Sequence, residues 1–339
     1  MDVCLSSPRS ERATTARLAD GFGRRITYLR LSVTDRCNLR CFYCMREDVK
    51  LLPKAEILSL EEMERLAAAF IRLGVRKLRL TGGEPLARPG IMELIARLGR
   101  HLKAGGLDEL TLTTNGMMLA ERASDLVAAG MRRINVSLDT LDALTFRRIT
   151  GHDGLGEVLA GIDAARAAHL AVRVNVVAMS GINDAEFDKL IRWCGDHDCD
   201  LALIEVMPVG LAATHYLPLD VARQHLARRW HLTPLDDASG GPARYWRVEE
   251  TGCRVGFITP MSHAFCVGCN RVRVTCSGRL VPCLGEPDGV DLRQPLRASK
   301  SDAALERTIA AAVAGKPASH HFLDPRFRAY AYPMWQVGG

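Results

Sequence analysis

Between residues 26 and 207 the chain repeats one local pattern six times, and that repetition constrains the fold more than any other feature. A short apolar or β-branched run is followed by a helical stretch or a loop. The runs are 26–33, 75–81, 110–114, 134–139, 172–178 and 201–207. The intervening helical patterns are 58–74, 91–106, 119–130, a stretch reaching about residue 169, and 184–197. Ser59 followed by Glu62 forms a capping box at the first helix start, and Gly74 marks its end. Several runs are apolar almost throughout, as strands covered on both faces should be. Repeated βα units predict an α/β chain with a parallel sheet or barrel whose site gathers at the C-terminal strand ends. Those ends are polar here: Thr34-Asp35-Arg36-Cys37, Thr81-Gly82-Gly83-Glu84-Pro85, Thr114-Asn115-Gly116 and Ser137-Leu138-Asp139.

The rhythm stops near residue 208, and DDASGGPARY at 236–245 reads as an exposed loop. A Cys-rich region follows, then a helical segment near 301–314 and a tail closing on Gly338-Gly339. This divides the chain into 1–235 and 236–339. At 339 residues the chain has room for two domains, or a barrel with an appendage. With 47% hydrophobic residues and a net charge of +6, disorder is excluded for most of it. No run approaches the roughly 18 apolar residues of a membrane span, and no apolar secretory core follows the start, so a cytoplasmic location is expected. No basic run or nucleic-acid motif is present, so the charge predicts no nucleic-acid partner, but it leaves room for a local anion pocket.

Eleven cysteines are the unusual count. Cys37, Cys41 and Cys44 form CxxxCxxC directly after the first strand. A loop of this spacing can wrap three thiolates around one face of a [4Fe–4S] cluster. Such clusters usually take four cysteines, so three leave one iron open for a ligand. The alternatives are a zinc site or three unrelated thiols. Cys266, Cys269 and Cys283 form a second group, either a zinc knuckle completed by Cys276 or His263, or another cluster. Cys194, Cys199 and Cys253 read as small buried hydrophobes, His320-His321 as surface, and Cys4 as scattered. Asn175 either reaches a ribose or makes a packing hydrogen bond.

CNLRCFYC, with Gly82-Gly83-Glu84-Pro85 after the second strand, resembles the radical S-adenosylmethionine enzymes. That resemblance implies an open iron that chelates S-adenosylmethionine and a 5′-deoxyadenosyl radical that abstracts hydrogen. It also implies Tyr43 against the adenine and Gly83 at the methionine amine. The wider set of LRLTGGEPL, LTTNG, RRINVSLDTLD, VRVNVV, GIND, IEVMPVG, FCVGCNRVRVT and the closing Gly-Gly resembles the GTP 3′,8-cyclase (molybdenum-cofactor biosynthesis protein A) family across almost the whole chain. The family implies a lyase built as a partial (βα)6 TIM-type barrel, completed by a C-terminal iron–sulfur domain with a second [4Fe–4S] cluster. GTP would lie between the clusters, lose hydrogen from C3′ and close on C8 in molybdenum cofactor biosynthesis. Carried over by position, Ser137 and Met207 join Tyr43 and Gly83 as S-adenosylmethionine contacts. Arg30, Arg79, Thr113, Arg173, Arg271, Val272 and Arg273 are GTP contacts, with Arg271 and Arg273 also catalytic. Guanidinium groups from several strands suit a triphosphate, since each can bond bidentately. Arg271 and Arg273 share one strand face by alternation.

The chain departs from the family pattern at Arg173, where many members carry Lys, at Ala202, where a basic residue is usual, and at Gly285, where a bulky apolar residue is common. Implied partners are an electron donor and a downstream protein forming cyclic pyranopterin; a homodimer is one expectation. The rival readings are another radical enzyme with an auxiliary cluster, acting for example on a peptide, and a non-catalytic iron–sulfur or zinc sensor.

Overall fold

A computed structural model of the chain describes residues 18–45, 49–207, 210–236, 241–284, 289–322 and 334–338. Cys4, Gly285 and Gly339 lie outside the described residues. The six expected strands are present: β1 (Tyr28–Ser32), β2 (Lys77–Thr81), β3 (Glu109–Thr114), β4 (Arg133–Ser137), β5 (Ala171–Ala178) and β6 (Asp200–Glu205). They pair in sequence order and all in parallel. The helices α1 (Leu60–Arg72), α2 (Ile91–Lys103), α3 (Ala123–Ala128), α4 (Ala143–Thr150), α5 (Leu155–Ala167) and α6 (Phe187–Asp196) connect them. The Ser59–Glu62 capping box forms in both directions at the start of α1. The helical stretch expected to about residue 169 is built of two helices. Gly151 caps α4 in a left-handed conformation, and Gly154 precedes α5.

The remaining chain extends both edges of this sheet. After α7 (Leu219–Leu226) come β7 (Leu232–Leu235), β8 (Arg244–Val248), β9 (Arg254–Ile258), β10 (Arg271–Val274), β11 (Arg279–Val281) and β12 (Val290–Asp291). The strand order is β12-β11-β10-β1-β2-β3-β4-β5-β6-β9-β8-β7. β9 runs parallel to β6 and β10 parallel to β1, so the central six gain a parallel neighbour on each side. The segment from β9 to β10 must travel from one end of the barrel sheet to the other, and Cys266 and Cys269 lie within it. α8 (Arg293–Ala298), α9 (Ala303–Ala314) and α10 (Met334–Val337) complete the described elements.

The strands are buried on both faces, but the two faces differ. Leu29, Leu31, Leu78, Leu80, Leu112, Ile134, Val136, Val174, Leu201 and Leu203 join the core beneath the helices. Their alternating neighbours Arg30, Arg79, Thr113, Arg173 and Asn175 line an interior cavity. A barrel filled by branched apolar layers would have no chamber. Here the inward positions of β1 to β4 carry mostly polar side chains, and a chamber remains.

Close backbone packing fixes α2 against the turn after α3. A Cβ on Gly99 would stand 2.1 Å from the Ala129 carbonyl oxygen. Replacing a mid-helix Gly by Ala ordinarily gains about 1 kcal/mol. Overpacking against rigid backbone costs about 1–3 kcal/mol, so Gly99→Ala is expected to be destabilising overall. Chemical denaturation should show a lower midpoint; an unchanged or raised midpoint would contradict this packing.

Candidate active site

The two cysteine triplets, far apart in sequence, line one cavity of about 320 Å³. Cys37, Cys41 and Cys44 sit on the loop after β1. Cys266, Cys269 and Cys283 sit on the β9–β10 segment and after β11. Between them stand Arg30, Arg79, Arg173, Arg271 and Arg273. Arg271 and Arg273 share the inward face of β10. Val272 is fully buried in the apolar core on the opposite face, so its side chain does not reach the cavity. Tyr43, Gly83, Ser137, Met207, Thr113 and Asn175 also line the chamber.

The first triplet is held by local geometry. Gly83 approaches the loop so closely that a Cβ would stand 2.2 Å from the Arg36 carbonyl oxygen. The Glu84 carboxylate accepts from the backbone N–H of Leu86 and Asn115 and from the Thr114 hydroxyl, tying β2 to β3 beside Cys37. Burial raises the Glu84 pKa to about 7. Tyr43 donates its hydroxyl proton to Asp139 at 2.7 Å, and Asp139 also accepts from the Val177 N–H. Burial, then the neighbouring Cys37 and Asp139, push the Cys44 thiol up to about 12. Burial and the same neighbours raise Cys41 as well, with Cys44 the strongest of them. Three crowded, mutually repelling sulfurs fit a donor set that a bound metal cluster would compensate.

The second triplet has a different setting. Burial opposes ionisation of Cys269, but the charges of Lys316 and Arg271 outweigh it and lower its pKa. Lys316 is only 3% exposed and donates to the Pro282 carbonyl beside Cys283. Arg24 donates to the Cys266 carbonyl at 2.8 Å while paired with Asp20. The fourth ligands that a zinc knuckle would need are engaged elsewhere. Cys276 is buried in the core, and His263 pairs with Asp220. Among the described residues no three Cys, His, Asp or Glu side chains converge on a single metal ion. Each thiolate of an iron–sulfur cluster binds its own iron, so cluster ligands need not meet at a point.

His320 is not the surface residue expected: it lines the cavity and bonds the Pro260 carbonyl oxygen. His321 is exposed. Cys194, Cys199 and Cys253 are buried as expected. Sequence reading passed over Tyr28, Lys77 and Arg133, which also line the cavity. Tyr28 and Lys77 lie two residues before Arg30 and Arg79, so strand alternation alone would have found them. Ala202 is buried among Ala243, Tyr245 and Ile258. Gly338 packs against Thr81, and its carbonyl accepts from Arg273.

A chamber at the C-terminal ends of parallel strands, entered by a CxxxCxxC loop and a glycine-rich turn, has the architecture of a radical S-adenosylmethionine enzyme. The Radical SAM superfamily matches residues 31–194, and Molybdenum Cofactor Synthesis C matches residues 199–322. Among solved structures, Streptococcus suis SuiB bound to precursor peptide SuiA superposes with a TM-score of 0.61 at 16% identity, covering 86% of this chain and 67% of that one. SuiB bound to S-adenosylmethionine gives 0.59 at 17% identity, covering 83% and 67%. At those identities the likeness shows the fold alone.

Three curated relatives, each named GTP 3′,8-cyclase, are much nearer. The protein of Nitrobacter hamburgensis is 55% identical over 324 residues, covering 94% of both chains. That of Rhodopseudomonas palustris is 56% identical over 313 residues, covering 91% of both. That of Bradyrhizobium diazoefficiens is 54% identical over 325 residues, covering 95% of this chain and 94% of its own. The chain therefore belongs to the GTP 3′,8-cyclase family of radical S-adenosylmethionine enzymes. It is an enzyme that uses S-adenosylmethionine and an iron–sulfur cluster. Among the described residues no helix is long and apolar enough to cross a membrane.

The cationic wall has a spectroscopic consequence. Tyr28 is buried, with Lys77 and Arg79 over its ring at 5.0 and 5.7 Å. Burial opposes its ionisation, but Arg79, Arg30, Lys77 and Arg271 together bring its pKa down to about 8. A depressed acid pKa means that the folded state holds fewer protons. The stability Tyr28 contributes is thus complete above pH 10 and lost as pH falls through about 8. Absorbance near the tyrosinate maximum should show one group ionising near pH 8 in the wild type and not in Tyr28→Phe. Identical titrations would contradict the assignment.

Proposed function

We propose that this chain is a GTP 3′,8-cyclase that carries two [4Fe–4S] clusters. It would convert GTP to (8S)-3′,8-cyclo-7,8-dihydroguanosine 5′-triphosphate in molybdenum cofactor biosynthesis. The observation that carries the reading is that both cysteine triplets face one cavity, with guanidinium groups between them. Cys37, Cys41 and Cys44 would hold the first cluster, and Cys266, Cys269 and Cys283 the second. When bound, the first cluster with S-adenosylmethionine supplies the one-electron chemistry that generates a hydrogen-abstracting radical.

The chain's own residues bind and orient. Gly83 leaves backbone exposed to the methionine amine, and Asp139 holds Tyr43 for the adenine. Ser137 and Met207 complete that contact set. Arg30, Arg79, Arg173, Arg271 and Arg273 would neutralise and orient the triphosphate. Thr113, whose buried hydroxyl has no partner among the described residues, is available to GTP. Val272 could contribute through its backbone only. Residues 1–235 would form the barrel domain and 236–339 the auxiliary-cluster domain. The cytoplasm, an external electron donor and a downstream pyranopterin-forming protein complete the proposal.

Anaerobically reconstituted protein should bind about eight irons and no zinc. With GTP, S-adenosylmethionine and a reductant it should yield 5′-deoxyadenosine and the cyclic nucleotide. Cys37→Ser should abolish both products. Cys283→Ser should lower the cyclic nucleotide more than 5′-deoxyadenosine, and equal loss would count against separate roles. No 5′-deoxyadenosine from the wild type would remove the radical chemistry. 5′-Deoxyadenosine without GTP consumption would leave a radical enzyme with another substrate.

A further inference from the structure

Two arginines of the chamber, Arg79 and Arg173, are held by residues that include two outside its lining, Asn135 and Tyr245. Arg173, on β5, has all three of its nitrogens engaged. Nε donates to Asn175 Oδ1 at 3.2 Å, and Nη1 donates to the Tyr245 hydroxyl oxygen at 2.7 Å. With its amide oxygen turned to the surrounding donors, Asn135 accepts from Arg173 Nη2 at 2.5 Å and from Arg79 Nη1 at 2.7 Å. One buried oxygen thus spaces two guanidinium groups that come from different strands. Asn135 is 0% exposed and Tyr245 is 3% exposed. Arg79 Nε is buried and has no partner among the described residues.

The placement of Tyr245 depends on two small neighbours. Across the sheet, Asn175 pairs with Ala202, Ala202 with Gly256, and Gly256 with Tyr245, so all four present the same face. A Cβ on Gly256 would stand 2.8 Å from Tyr245 Cε1. With no Cβ at 256 and only a methyl at 202, the ring lies across the sheet and its hydroxyl reaches Arg173. Desolvated guanidinium groups repel one another, so holding two of them close needs a shared acceptor, and one without a full charge does so without cancelling theirs. An amide oxygen and a phenolic oxygen meet that need and leave the cationic field for a ligand. Fixing the side chains in advance also removes ordering cost from binding.

We propose that Asn135 and Tyr245 are positioning residues that preset Arg79 and Arg173 for the polyphosphate chain of the nucleotide, setting preference by phosphate number. The proposal rests on the reading of this cavity as a GTP site. Its test is anaerobic equilibrium binding of GTP, GDP, GMP and inorganic triphosphate to the reconstituted holoenzyme, wild type and Tyr245→Phe. Iron content and S-adenosylmethionine binding serve as the fold control. Tyr245→Phe is expected to weaken GTP and inorganic triphosphate about 10-fold, the effect of about 1.4 kcal/mol, while leaving GMP within about 2-fold. At catalytic readout KM for GTP should rise with kcat retained. General structural damage would weaken all three nucleotides alike, so equal loss across the series, or none, overturns the proposal. Should Tyr245→Phe lose its iron, Asn135→Ala is read by the same series. A wild type that binds inorganic triphosphate in a Tyr245-dependent way but ignores GTP would sink the GTP reading and spare the positioning role.

Discussion

Burying several guanidinium groups inside one barrel is the constraint from which the rest of this structure follows. Arg30 and Arg79 are buried and Arg273 is half-buried, and desolvation depresses the pKa of each, bringing Arg79 and Arg273 to about 10. Isolated buried charge is expensive, and a like charge nearby adds to the cost. The fold meets this with an inner strand face rich in acceptors, Asn135, Asn175 and the Tyr245 hydroxyl among them, and with an apolar outer face that carries the packing energy. Glu109, pairing with both Lys77 and Arg133, offsets part of the positive charge at the strand N-terminal end. Among the described residues Arg79, Arg173 and Arg273 make no ion pair with a carboxylate, which suits an anionic ligand.

The same economy governs the two sulfur groups. The first is crowded and shielded, with Tyr43 and Asp139 packed beside it. The second sits under Lys316 and Arg271, whose charges lower Cys269. Two cysteine loops of similar composition therefore present different electrostatic settings to one chamber.

Much of this was legible in the chain. The period-2 pattern of YLRLS and KLRLT carries both the apolar packing face and the inward arginines. The CxxxCxxC spacing and the glycine-rich turn identify the first sulfur site. What could not be read is set by long-range placement. Tyr245 reaches Arg173 only because β8 pairs with β9 and β9 with β6. Lys316 reaches Pro282 only because the segment after α9 returns beneath the second triplet. No local signal marks either residue. Two further local features shape the elements. The stretch to residue 169 breaks because Gly151 takes a left-handed conformation, and Val272 points away from its arginine neighbours by the alternation that aligns them.

The pairing of β1 with β10 has a consequence for biosynthesis. The first barrel strand keeps one flank without its hydrogen-bonding partner until residues 271–274 have left the ribosome. By then every other central strand has been made. An exposed strand edge invites pairing with other chains, and contacts this distant in sequence form slowly. A nascent chain of this architecture is therefore most vulnerable to misassociation while its C-terminal third is still being translated, and that window lengthens wherever translation pauses.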